Sequence, residues 1–188
     1  MTRYILPNKN VVQGDTPFVL NDVQYTGADM LLQTERDALG LKAVVEQPYP
    51  TGDFQFVNED PANPGGYVVT PYPKERIVAE LLALAADTRW QKEQGGLTVS
   101  GLKVSTDDRS KLLLMGASIA AASAPTTYTT PWVSSDGTVT VINAAQVAGL
   151  ATAVSNFVDG CFQTFATVSA GITAGTITTK ADVIAAFQ

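Results

Sequence analysis

The sequence predicts a mixed α+β protein. A short-stranded, partly extended N-terminal region precedes a small helical domain with two hairpins and a long Ala-rich C-terminal helix. Short apolar pairs alternate with turn residues over positions 1–26, as they do in short strands. Two pairs of β-branched segments flank Ser100-Gly101 and Asp136-Gly137, which favour tight turns. Apolar side chains then recur at steps of three or four from Val147 to Ile172, the period of one helix face.

A change of composition divides the chain. Six prolines interrupt residues 47–73, which therefore form either a linker or surface loop, or a small sheet that displays aromatic side chains. The second interpretation depends on strand-like islands at Phe54–Val57 and Tyr67–Thr70. We place a domain boundary at the end of this segment. It separates a docking region at 1–72, which has short strands, one short helix and the Pro-rich span, from an α+β oligomerisation domain at 73–188.

The docking region has three predicted parts. Residues 1–26 form short strands or an extended arm. Asp29 is placed to cap a helix that runs to about Leu39, because an aspartate before an apolar-periodic segment satisfies free amide groups. Gly40 closes that helix, and the β-branched segment Leu41–Val45 predicts a strand.

The C-terminal domain opens with a helix and a hairpin. Residues Lys74–Glu93 have apolar positions on one helix face, and Gly95-Gly96 fits the helix exit. The strands on either side of Ser100-Gly101 then form a hairpin.

A second helix of this domain is predicted from its cap and its spacing. Thr106 or Asp107 supplies the cap. Leu112, Met115 and Ile119 follow at steps of three and four, so we expect them to face the core.

An ordered set of residues in this domain resembles a protein family of unknown biochemical activity. The set comprises Trp90, Glu93, Gly95-Gly96, Gly101, Thr106-Asp107, Ser110, Trp132 and Asp136-Gly137. The family is found mainly at the C-terminal ends of bacteriophage tail-fibre and baseplate-associated proteins. The resemblance covers residues 75–188 and rests on order and spacing. It implies a virion tail component and supplies no catalytic residues.

The long helix is the predicted contact between copies of the chain. Asn143 caps it, and Asp159 is the only charge between Asn143 and Thr179, which indicates burial on more than one side. Homo-oligomerisation about an axis would supply that burial, and a trimer fits the family resemblance. The expected interface residues are Gly149, Leu150, Val154, Phe157, Gly160, Cys161, Phe165 and Val168.

Three glycines recur every eleven residues along this helix. Gly149, Gly160 and Gly171 would lie nearly on one stripe, which permits another backbone to approach closely. The alternative is chance in a segment rich in small residues.

Composition excludes several kinds of site. Histidine is absent, which removes the commonest general base and zinc ligand and any Ser-His-Asp arrangement. A net charge of −6 argues against nucleic acid, whose readers present a basic stripe. The single Cys161 is read as a buried thiol. No apolar run reaches about 18 residues and no N-terminal targeting signal is present, so we expect no membrane span.

Carboxylate pairs were weighed as candidates for glycoside cleavage, which needs two carboxyl groups across a cleft. Asp107-Asp108 lies at a helix start, where capping explains it better. Glu59-Asp60 lies in the Pro-rich segment and is read as solvated. We therefore expect no catalytic residue, no metal and no cofactor.

The two tryptophans have two interpretations. Trp90 and Trp132 could stack on sugar rings, but a helix end and a strand are typical places for core anchors. We favour the anchoring role.

These observations predict a non-enzymatic structural protein of a bacteriophage tail, made in the host cytoplasm and placed at the baseplate or tail-fibre junction. Its partners would be other tail or baseplate subunits and further copies of itself. One alternative is a tail-fibre assembly chaperone, which would be absent from the finished particle. Another is a receptor- or polysaccharide-binding tip, although an enzyme of that kind should be larger and show β-solenoid repeats.

Overall fold

The computed structural model describes residues 2–188, and 45% of the chain is helical and 21% is in strands. The strands are β1 (Arg3–Ile5), β2 (Val11–Gln13), β3 (Phe18–Leu20), β4 (Val23–Tyr25), β5 (Lys42–Ala43), β6 (Gln55–Glu59), β7 (Tyr67–Pro71), β8 (Leu97–Val99), β9 (Leu102–Val104), β10 (Thr129–Val133) and β11 (Val139–Asn143). The helices are α1 (Gln33–Ala38), α2 (Lys74–Gln94), α3 (Asp108–Ser123), α4 (Ala144–Ala174) and α5 (Lys180–Ala186). The α+β fold class is confirmed. The chain separates into two compact units, Met1–Tyr72 and Pro73–Gln188.

The first unit is built from short antiparallel strands. Strands β2, β1 and β5 form a three-stranded sheet, and β3 with β4 and β6 with β7 form hairpins. Its buried side chains are Tyr4, Leu6, Phe18, Leu20, Ala28 and Leu41. Four of them come from residues 1–26, so this stretch contributes to a folded core and is not an extended arm.

The helix of the first unit begins later than predicted. Asp29 is not its cap, because the Asp29 carboxylate accepts a hydrogen bond from the Tyr4 hydroxyl at 2.9 Å. The carboxylate of Glu35 instead accepts from the backbone N–H of Leu32 at 2.7 Å, which starts α1 one turn downstream. Gly40 closes the helix at φ +71°, as predicted.

Part of the Pro-rich segment forms a two-stranded sheet, as the second interpretation requires, while the display of its aromatic side chains stays a prediction. β6 and β7 pair over five positions each. The Arg3 guanidinium binds the Glu46 carboxylate through two nitrogens, at 2.8 and 3.0 Å, and the Glu59 carboxylate at 2.6 Å. These ion pairs connect β1 with the last residue of β6, which fixes the hairpin within the first unit.

The second unit is organised around α4. Helices α2 and α3 both pack against α4, and α5 packs against α2. The buried cluster comprises Val104, Leu114, Ala121, Ile142, Ala144, Val147, Leu150 and Val154. The Asn143 side chain accepts from the backbone N–H of Gln146 and the Gln146 side chain accepts from the backbone N–H of Asn143, so the predicted cap is confirmed. With 31 residues α4 is about 46 Å long.

Both predicted hairpins are present. Ser100 and Gly101 adopt φ values of +49° and +83°, the left-handed pair that a two-residue hairpin turn requires. Gly137 at φ +84° makes the corresponding turn between β10 and β11.

The face that α3 presents to the core differs from the prediction. Leu112, Met115 and Ile119 point outward and are 56–64% exposed, while Leu114 and Ala121 are buried. The reason is electrostatic, because Lys111 binds the buried Glu93 and so occupies the inner side of the helix. Positions three and ten residues after Lys111 therefore face α4, and the predicted stripe faces solvent.

Candidate functional site

The predicted interface residues of α4 lie on its inner face. Leu150, Val154, Cys161 and Val168 are buried within a single chain, and Phe157 and Phe165 are half-buried. Their spacing was predicted correctly, but they pack against the chain's own helices. A contact between copies through these residues stays a prediction. The buried members have little surface left to offer a partner.

The glycine stripe does not serve close backbone packing within the chain. A Cβ added at Gly149 or Gly160 would meet no atom within 4 Å. At Gly171 it would meet the Ile177 side chain at 2.9 Å, which is a contact with the turn after the helix and not with another element's backbone. No backbone of the chain's own helices and strands approaches the three glycines closely, and a close approach of another copy stays a prediction.

Cys161 and Phe157 line a groove of about 290 Å³ together with Lys92 and the C-terminal Phe187 and Gln188. Burial raises the pKa of the Cys161 thiol. A raised pKa disfavours the thiolate, which is the nucleophilic form. Cys161 is thus a buried apolar group, as the sequence indicated, and this groove has no activated nucleophile.

The two tryptophans differ in their surroundings. Trp132 packs against the buried cluster of the second unit. Trp90 is 54% exposed on α2, so the expectation that it anchors the core is corrected for the single chain. Its exposure follows from the helix period, because the buried residues Leu81, Ala85 and Glu93 are spaced by multiples of four and Trp90, five residues after Ala85, lies off that face.

A partly buried ionic cluster lies where α2 meets α3. The Glu93 carboxylate, 10% exposed, binds Arg89 at 2.7 Å and Lys111 at 2.6 Å. Lys111 also binds Asp108 at 3.0 Å. The hydrogen bond to Glu93 raises the pKa of Lys111, and the bond from Lys111 lowers the pKa of Asp108. The Arg89 guanidinium lies 4.4 Å from the centre of the Phe162 ring, a cation–π contact with α4.

The start of α3 is fixed by hydrogen bonds around Thr106 and Asp107. Thr106 is fully buried, donates to the backbone carbonyl of Glu93 and accepts from the N–H of Gly96 at 2.9 Å. The Asp107 carboxylate accepts from the Ser110 hydroxyl, the Ser105 hydroxyl and the Ser110 N–H, and these bonds lower its pKa well below the usual range. Several residues that carry the family resemblance therefore position α3 on α2.

The carboxylates considered for glycoside cleavage have structural partners within the chain. Asp107 is the helix cap, Asp108 binds Lys111, and Glu59 binds Arg3. Among residues 2–188 no group of three His, Cys, Asp or Glu side chains is placed to hold a metal ion. Within the same residues, no helix combines the length and apolar character that crossing a bilayer requires.

The residues that sequence reasoning missed are the outward-facing apolar side chains of α3 and the second hairpin. Leu112, Leu113, Met115 and Ile119 of α3 and Val133, Val139 and Val141 of the hairpin are 56–68% exposed. We call these seven residues the α3–hairpin face. The signal was in the sequence, because residues 112–135 contain no charged side chain.

The fold and this surface define a small mixed α+β domain that packs two helices and two hairpins on one long helix and presents an apolar face. Residues 76–186, more than half of the chain, match the family model described as a domain of unknown function, DUF4376. The chain belongs to this family. No curated protein and no solved structure matches it.

Proposed function

We propose that this protein is a structural component of a bacteriophage tail, at the baseplate or tail-fibre junction. It acts by docking to neighbouring subunits and by homo-oligomerisation, as a trimer. The proposal depends on one observation. Each unit has its own buried core and still exposes several large apolar side chains. Such exposure on a folded unit is typical of a surface that binds protein.

The first unit supplies the docking surface in this proposal. Its most exposed large hydrophobic side chains, at 51–81%, are Val19, Val23, Met30, Leu32, Val45 and Tyr49. The core formed by Tyr4, Leu6 and Phe18 makes this unit a folded module, so docking uses its surface and not an unfolded arm.

The second unit supplies the contact between copies. A single charge lies between Asn143 and Thr179, so the exposed side of α4 offers uncharged side chains over most of its length. The resemblance of the residues between Trp90 and Gly137 to tail-associated proteins directs this proposal to the virion. Cys161 with a raised pKa and the capping role of Asp107 support a non-enzymatic role.

Incorporation into particles tests the proposal. Phage that lacks the gene is supplied either with the whole chain or with residues 73–188 alone, and purified particles are examined by mass spectrometry. We expect the whole chain in particles and the shorter chain in the lysate only, with circular dichroism showing that the shorter chain is folded. Absence of the whole chain from particles, with abundance in the lysate, would favour the assembly chaperone and contradict the virion role.

A further inference from the structure

The two parts of the α3–hairpin face are continuous. Leu113 of α3 and Val133 of β10 line the same groove of about 360 Å³, together with Trp132. Val133 lies opposite Val139 across the hairpin, and Val141 lies two residues further along the same strand. Side chains in those positions share one side of a hairpin. Leu112, Met115 and Ile119 extend the surface along α3, where they recur at helical spacing.

The α3–hairpin face also lacks charge. From Leu112 to Val158 the chain has 47 positions and one charged residue, Asp136, whereas its overall charged content of 16% would place about seven there. Asp136 lies in the hairpin turn, where its carboxylate is 3.5 Å from the ammonium nitrogen of Lys103. Lys111 and Asp159 border the face beside Met115, in the groove between α3 and α4, so ionic complementarity can contribute to partner selection only at that edge. The face also brings no like charges together if two copies meet there, although each copy carries a net charge of −6.

The size of the face matches what a stable interface needs. Seven side chains at 56–68% exposure present roughly 100 Å² each, so the face offers about 700 Å² of apolar area per copy. A stable interface buries about 800 Å² per partner. Single exposed apolar side chains are ordinary on a protein surface, but a contiguous patch of this size marks an interaction site.

We propose that the α3–hairpin face binds further copies of this chain, with the faces of three copies meeting about the axis of the proposed trimer. This inference rests on the proposed function, because it names the surface through which the copies associate. It moves the contact from the inner face of α4, where Leu150 and Val154 are already covered, to side chains that a single chain leaves open.

Light scattering after gel filtration tests the inference on the full chain. We expect the wild-type protein to have a multiple of 19.8 kDa. Ile119→Lys and Val141→Lys should each shift the mass toward 19.8 kDa or raise the dissociation constant at least about tenfold, because each places a charge in an apolar contact. Gln163→Lys is the matched control, since it adds the same charge at an exposed position of α4 and should keep the wild-type mass. Circular dichroism verifies that all three variants are folded.

The fluorescence of Trp132 provides a second measurement of association, which does not depend on introducing a charged residue. Because Trp132 lines the groove, a second copy that covers the groove removes water from the indole and shifts its emission to shorter wavelength. In Trp90→Phe, Trp132 is the sole tryptophan. Its emission should shift to longer wavelength on dilution through the dissociation constant, and adding Ile119→Lys should give the diluted spectrum at every concentration.

Two results would overturn the inference. One is a wild-type chain that stays monomeric throughout the dilution series. The other is an oligomer that persists in folded Ile119→Lys and Val141→Lys but is lost in folded Phe157→Asp, since that would place the contact on α4. The second result leaves homo-oligomerisation intact, and incorporation into particles is measured separately, so failure of this inference and failure of the proposed function are distinguishable.

Discussion

The carboxylate of Glu93 in the last turn of α2 lies 2.6 Å from the ammonium nitrogen of Lys111 in the first turn of α3. This ion pair sets the rotation of α3, because it holds Lys111 on the side of the helix that faces the core. Leu114 consequently enters the core, whereas Leu112 and Ile119 face solvent. The ion pair and the burial of Leu114 and Ala121 thus place the same side of α3 against the rest of the domain.

Loss of the Glu93 carboxylate should destabilise the second unit. Glu93→Gln leaves Arg89 and Lys111 without their shared anion, and removing one partner of a buried ion pair costs about 3–5 kcal/mol. Both cations keep about a fifth of their side-chain surface exposed, so we expect about 2–3 kcal/mol. Both tryptophans lie in this unit, and urea unfolding followed by their fluorescence measures the change.

The matched control for Glu93 is Glu80→Gln on the same helix. Glu80 pairs with Arg76 near the surface, where both side chains are 37–45% exposed, so its loss should cost less than about 0.5 kcal/mol. Equal losses from the two variants would contradict a structural role for the inner ion pair.

The charge of Asp107 should make stability fall in acid. Its pKa is lowered from the ordinary 3.8 because it accepts hydrogen bonds from Ser110 and Ser105. A lowered pKa gives stability that is present above 3.8 and lost as the pH falls toward the folded-state value. Asp107→Asn keeps a good cap without the charge, so the unfolding free energy of the variant should fall less steeply below about pH 4.

Asp159→Asn, at an exposed position of α4, serves as the control in the acid titration. It should reproduce the wild-type decline below pH 4 that Asp107→Asn flattens. A wild-type slope in Asp107→Asn would show that the carboxylate at the start of α3 contributes nothing to acid sensitivity.

Gly96 should not tolerate a side chain. Its φ is +76°, and an added Cβ would lie 2.8 Å from the carbonyl oxygen of Val104. The strained backbone and the contact together predict a loss of about 1–3 kcal/mol for Gly96→Ala. Thermal unfolding measures this loss, and an unchanged melting temperature would mean that the turn after α2 rearranges freely.

Gly149 and Gly160 should respond in the opposite direction. Both are in the interior of α4 with nothing within 4 Å of an added Cβ, so each change to alanine should raise the unfolding free energy by about 0.5–1 kcal/mol. The Gly149→Ala and Gly160→Ala variants should form oligomers of the wild-type mass. A stabilised chain with a lower mass would show that copies approach each other along the glycine stripe.

The elements of the second unit could be predicted because their signals are local. Asn143 caps α4, and the turns at Ser100-Gly101 and Asp136-Gly137 form hairpins. Each of these depends on residues a few positions apart, which the sequence displays directly.

The inward face of α3 could not be predicted because it depends on a distant partner. Lys111 faces inward only because Glu93, eighteen positions earlier, is buried. The prediction that the large apolar side chains of α3 face the core was therefore wrong. The contact between copies that was predicted on α4 stays a prediction, although α2 and α3 of the same chain already pack against that helix.

The copy number of this chain in purified phage particles tests whether the protein is a structural component of the tail. Quantitative mass spectrometry against the tail-tube subunit should find a low fixed ratio in multiples of three, as expected for a symmetric baseplate or tail-fibre component. A chain that is abundant in the lysate and absent from particles would contradict the claim.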